Sequence, residues 1–203
     1  LLAGETGTGK ELFAKAIHAA SPRRQGPFVA INCAAIPSSL LESELFGYEE
    51  GAFTGAMRKG KPGMFELAHL GSIFLDEISE MNKQSQLRLL RVLQERSVMR
   101  LGGDRLIPVD FRIISATNKN LWELVEKGKF RKDLYYRLSM LPLFIPPLRQ
   151  RKGDAACLAA HFLRQNVKNA GEIPPEALRQ LEAHSWPGNV RELHHAVIKY
   201  LSM

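Results

Sequence analysis

The sequence predicts an α/β protein, a parallel sheet sandwiched by helices, followed by a small α-helical lid. Three observations carry this expectation. Short apolar runs of strand character alternate with stretches of helical periodicity up to residue 146. Gly4 to Lys10 has the spacing of a phosphate-binding loop set between a strand and a helix. After Pro146-Pro147 strand-like runs cease and only helical patterns follow, which divides the chain into an α/β part at 1–146 and a lid at 147–203.

The elements follow in order. Leu1 to Ala3 reads as the end of a strand. Lys10 to Ala20 reads as a helix, with Leu12, Phe13, Ala16 and Ile17 on one face. Phe28 to Asn32 has strand character. Ser39 with Glu42 has capping-box spacing ahead of a short helix. Ile73 to Leu75 is a short apolar strand that ends in acids. Leu87, Leu90 and Leu93 mark the inner face of a helix, and Phe111 to Ala116 and Leu141 to Ile145 read as the remaining strands. In the lid, Asp154 to Lys168 and Pro175 to His184 are helical, and Asn189 is placed to cap a last helix from Val190 onward.

The composition is that of an ordinary globular domain, 45% hydrophobic and 24% charged over 203 residues, enough chain for a sizeable core. A net charge of +7 favours anionic partners such as nucleotides, nucleic acid or acidic protein surfaces, and serves solubility equally well. Cys33 and Cys157 make no disulfide framework and read as small core residues, which fits a reducing cytoplasm. No apolar run approaches the length of a membrane span. The six histidines lack metal-ligand spacing and read as surface or cap residues. With no initiator Met and no leader-like start, the chain reads as a fragment.

The chemistry is concentrated in two runs. In Gly4-Glu5-Thr6-Gly7-Thr8-Gly9-Lys10 the glycines let the backbone curl so that successive N–H groups face phosphate oxygens. The helix that follows adds its positive end, and Lys10 reaches the outer phosphates. The Ser or Thr that usually follows the lysine, and ligates magnesium, is replaced by Glu11. In Ser72-Ile73-Phe74-Leu75-Asp76-Glu77 an apolar strand delivers two adjacent acids. Asp76 suits Mg²⁺, and Glu77 suits a general base that polarises the attacking water. Binding a nucleotide needs no base, so the pair points to hydrolysis.

The run Gly-Glu-Thr-Gly-Thr-Gly-Lys-Glu resembles the phosphate loop of the AAA+ domain of sigma-54-dependent transcriptional activators, the bacterial enhancer-binding proteins of the NtrC type, in which Glu at the position of Glu11 is usual. Gly51-Ala52-Phe53-Thr54-Gly55-Ala56 is similar to that family's GAFTGA loop, which engages sigma-54. Without the family, the run is a glycine-bounded tip with one large apolar residue, either a mobile contact loop or a tight turn with Phe53 in the core.

The resemblance implies further roles, each beside a plainer reading. Asn32 would restrain the catalytic glutamate, or simply satisfy backbone groups. Thr117 and Asn118 would sense the γ-phosphate, or belong to the cap of the next helix. Arg100 to Pro108 would be a second mobile loop, or a plain one. Arg131 and Arg137, in Phe130 to Leu138, would be arginine fingers, or a solvated helix face. Arg191, in Trp186 to Leu193, would lean from the lid onto the phosphates, or stay at the surface.

The family further implies ATP and Mg²⁺, a homo-oligomeric ring (typically a hexamer) with fingers supplied by the next subunit, sigma-54 of RNA polymerase as partner, and a bacterial cytoplasmic location. It places DNA contact in a domain outside these residues. The rival readings are another AAA+ machine lacking the GAFTGA tip, a nucleotide-binding scaffold that does not hydrolyse, and a DNA-binding module, for which no helix-turn-helix is visible.

Overall fold

The computed structural model describes residues 1–52, 59–167 and 173–201. The chain forms two compact units, Leu1–Ala3 with Glu11–Leu143, and Gly4–Lys10 with Phe144–Met203.

In chain order the elements are β1 (Leu2–Ala3), α1 (Lys10–Ala19), β2 (Phe28–Asn32), α2 (Ser38–Phe46), β3 (Gly47–Tyr48), β4 (Lys61–Pro62), α3 (Met64–Leu67) and β5 (Ser72–Asp76). A 3-10 turn at Ile78–Glu80 leads to α4 (Lys83–Glu95), β6 (Ser97–Met99), β7 (Leu106–Pro108), β8 (Arg112–Thr117), α5 (Leu121–Glu126), α6 (Lys132–Leu138) and β9 (Leu143–Phe144). A second 3-10 turn at Leu148–Gln150 precedes α7 (Asp154–Asn166), α8 (Pro175–Ala183) and α9 (Asn189–Leu201).

The main sheet has the order β2-β5-β8-β1-β9. Its pairs β2/β5, β5/β8 and β8/β1 are parallel, with Asn32 opposite Asp76 and Leu75 opposite Ser115. This register sets the ends of β2, β5 and β8 side by side at the carboxyl edge, where open α/β sheets place ligands.

Strand β5 is buried along nearly its whole length, as expected of a central parallel strand covered on both faces. Ile73 and Leu75 enter the main core with Leu41, Leu45, Leu89, Leu93 and Leu134 from α2, α4 and α6. Their neighbours point the opposite way. There Phe74 stacks on Phe28, and the Ser72 hydroxyl lies 2.9 Å from Nδ1 of His18 on α1. Helices therefore cover both faces. In the second unit α7, α8 and α9 close on a smaller core of Leu148, Ala155, Ala159, Trp186, Leu193 and Val197.

Several expectations are corrected. The Ser39/Glu42 capping box does not form: α2 starts at Ser38 behind Pro37, without a side-chain cap, which puts Ser39 inside the first turn. Glu42 instead accepts from the Ser85 hydroxyl at 3.2 Å. On α1 the buried positions are Lys10, Ala14 and His18, each one turn apart, while Leu12 and Phe13 are exposed. On α4 the inner face holds Leu89, Leu90, Val92 and Leu93, and Leu87 faces outward. Cys157 is exposed, and His18 is buried.

Candidate active site

Each unit carries one half of the predicted chemistry. In the second unit, the loop Gly4–Lys10 takes left-handed backbone at Gly7 (φ 81°) and Gly9 (φ 96°). A Cβ on Gly7 would sit 2.3 Å from the Gly188 carbonyl oxygen, so only glycine fits, whereas a Cβ on Gly9 would meet nothing within 4 Å. That open space beside Gly9 is what a phosphate cradle requires, and the positive φ values turn the N–H groups as an anion nest does. Lys10 is buried, and its ammonium donates to the carbonyls of Gly4 (3.0 Å) and Glu5 (3.2 Å), folding over the loop. The Thr8 hydroxyl donates to Glu5 O at 2.8 Å.

The loop is held from the lid side of the same unit. Arg149 forks onto the Glu5 carboxylate at 2.8 and 2.5 Å. Asn189 Nδ2 donates to Glu5 (3.1 Å) and to the Thr6 carbonyl (3.0 Å), while its Oδ1 accepts from Leu148 N–H (2.8 Å). Arg151 donates to Thr8 O at 3.2 Å, and the Arg191 N–H to Gly7 O at 3.3 Å. The Arg191 side chain is exposed. Asn189 thus ties the loop instead of capping α9, and its left-handed backbone (φ 54°) suits that use. No local sequence signal marks Arg149 or Arg151, and the spacing of Asn189 suggests only a helix cap.

Two predictions follow from this half. Gly7→Ala forces a left-handed alanine, at roughly 1–2 kcal/mol, against a backbone oxygen that has little room to retreat. Titration with a fluorescent nucleotide should show binding lost or weakened at least about tenfold, and unchanged affinity would refute the cradle. Secondly, Glu5 is pulled from its ordinary 4.5 to about 2, first by the Arg149 hydrogen bonds and then by the Asn189 amide. Its stabilisation is therefore present above pH 4.5 and lost as pH falls through about 2. The melting-temperature advantage of the unchanged chain over Glu5→Gln should shrink to nothing across that interval. The carboxylate is solvent-exposed, so the advantage should be small and salt-sensitive; a pH-independent difference would contradict the linkage.

In the first unit, the acids stand at the end of β5. Asp76 accepts from Asn32 Nδ2 (3.4 Å) and from the Glu77 N–H (3.0 Å). Asn32 Oδ1 meanwhile accepts from the Ala34 (2.9 Å) and Ala35 (3.2 Å) N–H groups. Glu77 has a left-handed backbone (φ 49°), a strained conformation for a residue with a side chain and one that clusters at functional sites. Its Oε2 accepts from the Asn118 N–H at 3.1 Å, just past the end of β8. Thr117 is buried, and its hydroxyl accepts from the Lys119 N–H at 3.0 Å. Nearby, burial and then Asp76 push the Cys33 thiol up to about 12, so it is no nucleophile at neutral pH.

Asp76 offers hard carboxylate oxygens at the carboxyl edge of the sheet, a donor type that fits Mg²⁺. Glu11, which replaces the usual hydroxyl ligand, is exposed and pairs with Lys15 at 2.7 Å.

The two arginines lie in the same unit as the acids. Arg131, before α6, forks onto Asp133 at 3.0 and 2.7 Å, and Arg137 is exposed and donates to Leu93 O at 3.1 Å. Arg131 lines a shallow cavity of about 590 Å³ with Lys83, Lys132 and Tyr136. Arg100, in the predicted second loop, instead forks onto Glu66 at 2.9 and 2.7 Å beside the β6–β7 hairpin. Of the GAFTGA run, Gly51 has φ 75° and the Ala52 N–H donates to Glu49 O at 3.2 Å. Phe53, Thr54, Gly55 and Ala56 lie outside the described residues.

A parallel sheet carrying a glycine phosphate loop and two strand-end acids, with a helical lid, defines a P-loop ATPase domain of the AAA+ class. The comparisons make this specific. Residues 1–144 match the model of the sigma-54 interaction domain, and residues 149–203 that of an AAA+ ATPase lid domain. The chain is 56% identical over 201 residues to the DNA-binding transcriptional activator HyfR of Escherichia coli, covering 97% of this chain and 30% of that protein. It is 52% identical over 207 residues to the regulatory protein AtoC of the same organism, covering 100% of this chain and 45% of that protein. NtrX of Brucella abortus, solved with ADP, superposes with a TM-score of 0.87 at 42% identity, over 97% of this chain and 43% of that one. Hsp104, at 15% identity and a TM-score of 0.69, shares the fold alone. The chain belongs to the sigma-54 interaction domain family and is its AAA+ ATPase domain. It spans about a third of the length of the first curated relatives.

Proposed function

We propose that this chain hydrolyses ATP to drive a sigma-54-dependent transcriptional activator in the bacterial cytoplasm, opening promoters held closed by sigma-54 RNA polymerase. The observation that carries the reading is Glu77: an acid on strained backbone, with one carboxylate oxygen held by the Asn118 N–H, directly after Asp76 at the strand end. NtrX has been solved with ATP as well as with ADP, which supports ATP as the nucleotide here.

The proposed division of labour follows the chemistry. The N–H groups of Gly4 to Gly9, the Glu11 N–H at the start of α1 and the Lys10 ammonium bind the phosphates, with Arg191 from the lid. Asp76 holds Mg²⁺, which neutralises phosphate charge. Glu77 takes the proton of the water that attacks the γ-phosphorus, and ADP leaves. Asn118 reads the γ-phosphate through its link to Glu77, and Asn32 restrains the acid pair. Arg131 and Arg137 act on the nucleotide of the next copy in a homo-oligomeric ring, a hexamer by family analogy. The α/β body spans 1–146 and the lid 147–203. Gly51 to Ala56 engages sigma-54, and DNA is bound by a domain outside these residues.

Thr54→Ala tests the coupling. Nothing from Gly51 to Ala56 is a proton acceptor at neutral pH, so phosphate release should stay within about twofold. Co-migration with sigma-54 in the presence of ADP and a γ-phosphate transition-state mimic should be lost, and promoter opening with it. Intact co-migration and opening would remove Gly51 to Ala56 as the coupling element.

A further inference from the structure

We infer that Gln86 is a positioning residue that fixes the Arg131 finger relative to the Asp76-Glu77 end of β5. The inference rests on the reading that Arg131 serves the nucleotide of a neighbouring copy.

Gln86 lies on α4 with no solvent exposure, on the helix that otherwise turns Leu89, Leu90, Val92 and Leu93 inward. Burying an amide among such neighbours costs free energy unless its groups are paired. Here every one is. Nε2 donates to the Met81 carbonyl at 2.8 Å and to the Lys129 carbonyl at 3.1 Å, and Oε1 accepts from the Arg131 N–H at 2.9 Å. The orientation is unambiguous, because a flipped amide would set an NH₂ against an N–H and an oxygen against two carbonyls.

The three partners belong to two functional segments. Met81 closes the 3-10 turn that begins at Glu77: the Glu80 N–H donates to Glu77 O at 3.0 Å and the Met81 N–H to Ile78 O at 3.3 Å. Lys129 and Arg131 flank Phe130, itself buried in the main core. One side chain therefore joins the turn leaving the proposed base to the loop carrying the proposed finger. A leucine at this position would bury the same face without making the link. Among the described residues the Arg131 guanidinium is held by an exposed pair with Asp133, so its origin is defined chiefly by the backbone that Gln86 anchors.

The consequence is catalytic. An arginine displaced by about 1 Å can lose about 10²-fold in rate with little effect on ground-state binding. Gln86→Met keeps the volume and removes all three bonds. Its kcat should fall by about 10²-fold, while its KM for ATP stays within about twofold. A residue that merely supported the fold would weaken nucleotide binding, assembly and turnover together.

The decisive test asks whether Gln86 acts through the finger. A Glu77→Gln chain can donate a finger but not a base; an Arg131→Ala chain can use a base but lacks the finger. Phosphate release is measured for this pair mixed in equal amounts, and again with Gln86→Met added to the Glu77→Gln chain. Circular dichroism and sedimentation confirm that each chain folds and assembles. Recovery in the first mixture, with at least tenfold less in the second, supports the inference. Equal recovery in both overturns it and leaves the shared-site reading standing. No recovery in the first mixture sinks the shared-site reading, and the inference with it. Should Gln86→Met not fold, Gln86→Leu, which buries the same face without any of the three bonds, takes its place. Failure of both to fold would assign Gln86 to folding alone and refute the positioning role.

Discussion

Glu77→Gln is expected to bind ATP with near-normal affinity and to release phosphate at least about 10²-fold more slowly than the unchanged chain. The substitution keeps size and shape. An amide oxygen still accepts from the Asn118 N–H, so the local backbone has no cause to move. What disappears is the ability to take a proton from water, and general-base catalysis contributes about 10²–10⁴ in comparable reactions. The strained backbone at Glu77 adds to the case, because a non-glycine residue in left-handed conformation costs about 1–3 kcal/mol and persists where geometry matters. Lys10→Ala should fail differently, losing nucleotide binding itself. Phosphate release and fluorescent-nucleotide titration on the same preparations separate the two. Turnover within about twofold of normal in Glu77→Gln would remove it as the base.

Arg131→Ala is expected to lose about 10³-fold in turnover, the lower end of the range for arginine fingers in the GTPase comparison. In this structure Arg131 is engaged with Asp133, yet both side chains are more than a third exposed. Such surface pairs are worth about 0–1 kcal/mol, so releasing the guanidinium to a phosphate costs little against the charge it would meet there. Binding of ATP to the chain's own loop should be nearly unchanged. Mixing Arg131→Ala with Glu77→Gln should restore part of the activity, since one chain keeps its base and the other its finger. A mixture as inactive as its components would place Arg131 in its own subunit's chemistry or outside it.

Much of the fold was legible because its signals are local. The apolar run of β5 ends in Asp76 and Glu77, and the glycine spacing of the phosphate loop requires no partner to be recognised. Helix faces were less legible. Leu12 and Phe13 share a periodic face with Ala16 and Ile17, but α1 turns Ala14 and His18 inward, because the His18 ring pairs with the Ser72 hydroxyl across the chain. The capping box at Ser39 had the right spacing, but the helix is capped at Pro37, two residues earlier than the pattern implied.

The supports of the site were least legible. Arg149, Asn189 and Gln86 act over separations of 144, 184 and 45 residues. Nothing in their neighbouring sequence distinguishes an arginine that forks onto Glu5 from one in water. A glutamine on an apolar helix face likewise reads as a polar interruption until its three partners are seen.

The central claim is that hydrolysis is completed by a second copy of the chain. It is tested most directly by phosphate release per chain, measured across the protein concentrations over which sedimentation shows assembly. Turnover per chain should rise with the assembled fraction and level off when assembly is complete. Turnover that stays constant through the same transition would contradict the account.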